Sequence, residues 1–363
     1  MSGRVSPSAR KLVWWNVQRF FHYRPSALSS VLGSSPDEGW TREVYEAKVR
    51  NVAAVLRHIS DGSDVALVGF AEVENAEVVA DVLEAAGWDH LVEADEPRFA
   101  GQGYDVAVAF DPQVFEPLAP VRSHNVHLRF DTRDILEVPL RTRGGAEVLV
   151  LANHWPSRTV SSSAPLRVGL GDYALRLLER WLKVGPDAMM SDGGTLELPP
   201  RETLRARWMR AAIVMGDFND EPFDASVAEA MDAYRDPDRC VDPLDLPRAS
   251  AAALERYLRA RPRLYNPSWD LLAPSEDAIP PGTTHWNGRW YLLDQMVLSQ
   301  GALRGALRYR EGSLRVVCPE DVPLEGGDEI AIRTRSGRPK SFLPVSQHGA
   351  SDHFPLVMEV EID

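Results

Sequence analysis

Residues 212–220 read AIVMGDFND. Four apolar side chains run into Gly-Asp-Phe-Asn-Asp, the pattern of a buried strand that ends in a tight turn. Asp217 and Asn219, two residues apart at that end, aim a carboxylate and an amide at one small volume. Such a pair suits a hard cation, a phosphate or a polarised water. Other polar residues also stand at the ends of apolar runs. Asn16 follows LVWW, Glu72 follows VALVGFA, and Asn153 and His154 follow VLVLA. Asp294 precedes QMVL, and Ser351, Asp352 and His353 precede FPLVMEV. If the last two strands run antiparallel to the first four, all these groups share one edge of the sheets, because neighbouring strands lie only about 4.8 Å apart.

Glu72, Asp217, Asp294 and Asp352 then supply carboxylates, and His154 and His353 supply imidazoles. Oxygen donors suit Mg²⁺ or Mn²⁺ better than zinc. Magnesium takes one or two carboxylates and keeps several waters, a demand that Glu72 meets. Asp294 beside His353 would orient the ring and favour its charged form. A cationic imidazole binds a phosphate oxygen or stabilises the charge that builds during displacement. Asp217 would orient or deprotonate an attacking water. The expected reaction is hydrolysis of a phosphate ester.

The elements that must position these groups are short. Apolar runs at 12–15, 65–71, 106–110, 148–152, 213–215, 295–298 and 356–360 read as strands. Helical spacing covers 41–59, 78–86, 165–182 and 249–261, with Thr41 and Glu43 opening the first helix and Gly87 stopping the second. Strands alternating with helices predict α/β layers. Segments 21–39 and 185–202, rich in Ser, Pro and Gly, read as inserted loops, and the charged segment 319–346 as surface decoration or the rim of a site. No linker divides the chain, so the expectation is one domain over 1–363.

Composition narrows the function. Of 363 residues, 44% are hydrophobic and 26% charged, which allows a large core. A net charge of -13 argues against coating duplex DNA by bulk electrostatics, yet leaves room for a nuclease with a local basic groove. Cys240 and Cys318 are too few for a disulfide framework or a structural zinc site. No signal-like apolar segment or membrane-length run is seen, so the expected location is the cytoplasm, with no membrane partner. His124 and His127 read as surface residues, and Trp155 and Trp286 as loop packing. Gly101 and Gly103 precede a strand and so form no dinucleotide loop.

Eight segments follow one another along the chain: WWNVQRFF around Asn16, GWTREVYEAKVRNVAAVL, GFAEVEN around Glu72, GYDVAVAF around Asp105, NHWPSR from Asn153, GDFNDEP from Gly216, TTHWNGRWYLLDQMVLS around Asp294 and SDHFPL from Ser351. With them the chain resembles the endonuclease/exonuclease/phosphatase superfamily, whose fold is that of pancreatic deoxyribonuclease. By pattern it is similar to general bacterial members. The resemblance implies an α/β (α+β) four-layer sandwich, with two mixed β-sheets packed face to face and flanked by helices. It also implies one or two Mg²⁺, with Mn²⁺ as a substitute. Glu72 would bind the metal, with Asn16 and Asp352 nearby. Asp217 and Asn219 would activate or orient the nucleophile, His154 and His353 would grip the scissile phosphate, and Asp294 would orient His353. Asn153, Arg158 and Arg167 are the candidate substrate contacts. The chain departs from the pattern at Gln102 and Gly103, where many relatives carry Arg-Gly.

The resulting expectation is a Mg²⁺-dependent nuclease acting on DNA or RNA. The alternative keeps the chemistry and changes the substrate to a phosphorylated small molecule or lipid headgroup. A non-catalytic scaffold on the same fold would be expected to have lost metal or histidine residues, and none is lost.

Overall fold

The computed structural model describes residues 9–24, 39–94, 105–126, 135–159, 162–190, 194, 197–240, 251–273 and 281–363. The chain begins with β1 (Ala9–Phe20) and passes through α1 (Arg42–Ile59) to β2 (Val65–Val73), which lies parallel to it. After α2 (Ala76–Ala86) and β3 (Val92–Glu93), β4 (Asp105–Phe110) runs antiparallel to β2. A second sheet then forms from β5 (Phe115–Pro117), β6 (Arg122–His124), β7 (Ile135–Thr142) and β8 (Glu147–His154). Helices α3 (Ala164–Leu182) and α4 (Arg201–Trp208) lead to β9 (Ala211–Asp217), parallel to β8. β10 (Ala233–Tyr234), α5 (Ala251–Arg259) and β11 (Leu264–Tyr265) follow. A separate hairpin, β12 (Thr284–Trp286) and β13 (Arg289–Tyr291), precedes β14 (Asp294–Leu298), which is antiparallel to β9. Beyond α6 (Gln300–Arg304) come β15 (Leu307–Tyr309), β16 (Arg315–Val316), the hairpin β17 (Asp321–Pro323) and β18 (Glu329–Ala331), and finally β19 (Leu356–Ile362), antiparallel to β1.

The two large sheets have the orders β15-β19-β1-β2-β4-β3, with β16 on β19, and β10-β11-β14-β9-β8-β7-β5, with β6 on β7. This is the two-sheet sandwich that the resemblance implies. Side chains alternate across the central strands. Ala211, Ile213 and Met215 of β9 join Leu12, Trp14 and Met296 between the sheets. Ala212 and Val214 point the other way, against Leu170, Ala174 and Leu178 of α3. Both faces of β9 are therefore covered, which is why it reads as an unbroken apolar run. The helices start where their caps allow. Thr41 Oγ1 accepts from Val44 N, and Asn75 Oδ1 accepts from Val78 N.

Several segments differ from the sequence expectation. β7 lies inside the second sheet although Pro139, paired opposite Leu149, argues against an inner strand. Segment 185–202 contains a short 3₁₀ turn, Pro186–Met189, and the start of α4, while 319–346 contains the β17–β18 hairpin. Most of segment 21–39, along with Gln102, Gly103 and His127, lies outside the described residues. His124 is half-buried and not a free surface side chain: its ring lies 2.5 Å from Glu137 Oε2 and 3.2 Å from the Tyr173 hydroxyl. Among the described residues no helix is long and apolar enough to cross a membrane.

Candidate active site

Strand register builds the site. His154 stands opposite Asp217 across the β8–β9 pair, and Asp294 stands opposite Asp217 across the β9–β14 pair. Three candidate side chains thus form a row at one end of the sheet. From the other sheet, Asn16 of β1 bridges the gap. Its Nδ2 donates to Glu72 Oε1 at 3.1 Å and to Asp217 Oδ2 at 3.0 Å. His353, just before β19, completes the group with its Nε2 3.9 Å from Asp217 Oδ2.

Gly216 explains the local sequence of the turn. A Cβ there would fall 2.5 Å from Asn153 O and 2.7 Å from Asn153 Cβ. Only glycine lets β9 approach β8 this closely and still present Asp217 to the edge. Gly216→Ala is therefore expected to destabilise the protein by about 1–3 kcal/mol through overpacking and to lower kcat by displacing Asp217. Thermal melts and steady-state rates on one preparation check this; an unchanged Tm with full activity would remove the close-approach argument.

Asp217 is 2% exposed. Its Oδ1 accepts from Asn219 N at 3.0 Å, with Asn219 in the left-handed region at φ 50°. Burial pushes its carboxyl up to about 6; the charge of His353 pulls it back and that of Asp294 adds to the rise. His353 Nδ1 meets Asp294 Oδ2 at 2.6 Å, and the other oxygen of Asp294 accepts from Trp14 Nε1 at 3.0 Å. Burial works against the charge on His353, but Asp294 and Asp217 outweigh it, and the imidazole is held well above its ordinary range. His154 Nε2 lies 3.6 Å from Asp217 Oδ2 and 3.7 Å from Glu72 Oε1.

The rim is made of oxygen donors. Glu72 has φ 67°, and its Oε2 accepts from Arg19 N at 2.7 Å. Asp352 is half-buried; burial raises its carboxyl, His353 lowers it and the nearby charge of Glu72 raises it further. Ser351 Oγ donates to Asn16 O at 2.7 Å and accepts from His353 N, which ties this segment to β1. The charge of Glu72 acts on Asp352, and Asn16 Nδ2 donates to Glu72; a hard divalent cation would neutralise the two carboxylates. Asp217, Asp294 and His353 also offer ligand atoms, all within 4.8 Å of one another. In that trio, however, His353 Nδ1 and Asp294 already face each other. The trio is thus a candidate metal site in which His353 and Asp294 already satisfy each other, and the rim is a second set of oxygen donors.

The three candidate substrate contacts sit differently. Asn153 is fully buried. Its Nδ2 donates to Leu151 O and Met215 O, and its Oδ1 accepts from Trp155 Nε1. Arg167 is 4% exposed, 2.9 Å from Asp220 Oδ2, and donates to Ser163 Oγ and Pro156 O. Asn153 braces β9 at Met215, and Arg167 braces the turn after Asp217 at Asp220. Arg158 keeps part of its guanidinium exposed, while its Nε donates to Asn219 O and its Nη2 reaches Asp220. Asp220, the last acid of GDFND, was not singled out in the sequence, although it gathers both arginines. Trp155 packs as expected, stacked 4.6 Å from Phe218. Trp286 does not, being 49% exposed at the β12–β13 hairpin.

A model described as "Endonuclease/Exonuclease/phosphatase family" matches residues 13–212. Among solved structures, an endonuclease/exonuclease/phosphatase family protein from Bacteroides thetaiotaomicron is 13% identical, with a TM-score of 0.52 over 98% of this chain and 99% of that one. The human Nocturnin catalytic domain is 16% identical, with a TM-score of 0.50 over 99% and 97%. A mannosyl-6-phosphatase from Bacteroides thetaiotaomicron is 12% identical, with a TM-score of 0.51 over 97% and 99%. Comparison with curated protein sequences finds no match. At these identities the likeness is one of fold.

Proposed function

The chain belongs to the endonuclease/exonuclease/phosphatase family of metal-dependent phosphoric ester hydrolases, and from that premise we propose that it is a Mg²⁺-dependent phosphodiesterase acting on nucleic acid. One observation carries the chemistry: Asp217 lies between His154 and His353, and Asn16 joins it to Glu72. Glu72, with Asp352 and Asn16, would hold Mg²⁺ or Mn²⁺, which when bound neutralises charge on the phosphate. Asp217 and Asn219 position the attacking water. A carboxyl raised toward 6 by burial is ionised at neutral pH and basic enough to take a proton from that water. Asp294 keeps His353 charged, so its Nε2 can donate to a phosphate oxygen as negative charge builds. His154 approaches the same volume from β8.

Nucleic acid as substrate is favoured by two exposed aromatics on segments that lead away from the site. Trp286 lies two residues from Thr284, whose strand bridges to His353. Phe223, 51% exposed, closely follows Asn219 in the chain. Such rings stack on bases without regard to sequence. The second reading, a phosphorylated small molecule or headgroup, draws on the net charge of -13 and on the tethering of Arg158 and Arg167 to Asp220.

A substrate panel separates the two. Single-stranded and duplex DNA, RNA, a sugar phosphate, an inositol phosphate and a model diester are assayed with Mg²⁺ and with excess chelator. Polynucleotides are expected to be cleaved with a KM roughly tenfold or more below that of the model diester, the value of about one stacked base. Phosphate release from the monoesters without strand cleavage would put the second reading first. Full activity in chelator would sink the metal mechanism.

A further inference from the structure

Lys48, in the middle of α1, is 2% exposed. A buried ammonium is unfavourable unless its surroundings compensate it. Here its Nζ donates to the carbonyl of Gln18 and lies over three rings, 4.9 Å from the centroid of Phe20, 5.4 Å from Phe342 and 5.7 Å from Trp40. The carbonyl it grips belongs to a contorted stretch. Gln18 and Arg19 have φ of 54° and 45°, the left-handed region that residues with side chains seldom occupy.

The contortion serves the site. Pairing of β1 with β2 reaches Asn16 opposite Ala71 and resumes at Phe20 opposite Val73, so residues 17–19 stand against the single residue Glu72. That bulge turns two amides inward. Gln18 N donates to Asn16 Oδ1 at 3.0 Å, and Arg19 N donates to Glu72 Oε2 at 2.7 Å. Phe342, one ring of the cage, also donates its backbone N–H to Gln18 Oε1 at 3.1 Å. The charge of Lys48 reaches Asp352 as well, opposing that of Glu72. A methionine would fill this volume with no buried charge, so packing alone does not call for a lysine.

We propose that Lys48 is a positioning residue: it holds the Gln18–Arg19 bulge in its left-handed form and so sets the Glu72 carboxylate for a divalent cation. This rests on the reading of Glu72 as the residue that holds the metal. Calorimetric titration of Mn²⁺ into the purified protein tests it, with folding followed by circular dichroism. Lys48→Met is expected to stay folded and to bind Mn²⁺ about tenfold more weakly, the usual scale for losing a group that orients a metal ligand. Adding Gln18→Gly to that variant is expected to restore most of the affinity, because glycine adopts the left-handed form without a clamp. Unchanged affinity in Lys48→Met, or no recovery with Gln18→Gly, overturns the proposal. Glu72→Ala separates it from its premise. If Glu72→Ala loses Mn²⁺ binding while Lys48→Met keeps it, only the role of Lys48 falls; if both bind like the parent, the metal reading falls too. Should Lys48→Met not fold, Phe342→Leu, which opens the cage and spares the lysine, is expected to weaken Mn²⁺ binding, and unchanged binding there overturns the proposal.

Discussion

Glu72→Gly is expected to lower kcat/KM by on the order of 10²-fold or more while leaving the metal-free protein more stable than Glu72→Ala, both variants having lost the hydrogen bonds from Asn16 and Arg19. The loss follows from removing the carboxylate at the rim. The gain follows from the backbone. Glu72 sits at φ 67°, where a side chain clashes and glycine does not. Relief is worth about 1 kcal/mol. Glu72→Ala serves as the control, because alanine loses the carboxylate and keeps the strain. Denaturant melts should therefore rank glycine above alanine by about 1 kcal/mol, with both equally inactive. A glycine variant no more stable than the alanine variant would show that φ 67° is not strained; an active one would show that Glu72 does not hold the metal.

Positive φ recurs around this site, at Gln18, Arg19, Glu72 and Asn219. Each of these residues aims a backbone or side-chain group at the cluster. Strain of this kind persists only where surrounding structure imposes it, and here Lys48, Asn16 and Asp217 supply the constraint through hydrogen bonds.

The strands that carry the site were legible because they are buried on both faces, and continuous apolar runs are easy to see. Their ends were legible because Asp217, Glu72, His154 and Asn16 interrupt those runs abruptly. The antiparallel assumption for the last two strands matches the structure, and with it the row His154, Asp217 and Asp294 follows from register. β7 was not legible, because Pro139 reads as a break wherever only local propensity is available. Residue type also fails to say which way a polar side chain faces. Asn153 and Arg167 have the chemistry of substrate contacts, yet their hydrogen bonds close within the protein. Lys48 was invisible as a functional candidate, since the carbonyl it grips lies on a different element and its burial depends on Trp40 and Phe342.

The second large effect concerns Asp294, which is fully buried between Trp14 and His353. Asp294→Asn keeps an oxygen for the Trp14 N–H but removes the charge that holds the imidazolium. The variant is expected to lose about 3 kcal/mol of stability, as for other buried pairs broken on one side. Its kcat should fall by on the order of 10²–10⁴. Two explanations fit that result on its own. Asp294 acts through His353, or it ligates a cation together with Asp217 and His353, whose ligand atoms all lie within 4.8 Å. A cycle with His353→Gln distinguishes them. If Asp294 acts only by orienting and charging the ring, then once the ring is gone its own removal changes little. The double variant should then be no slower than the worse single variant, so the coupling equals the whole effect of Asp294→Asn, about 3–5 kcal/mol for that loss of rate. If Asp294 is a ligand, the double variant loses further activity and Mn²⁺ affinity falls at both steps. The 2.6 Å contact between Asp294 and His353 Nδ1 favours the first outcome, because an oxygen committed to an imidazolium N–H is poorly placed to serve a second cation.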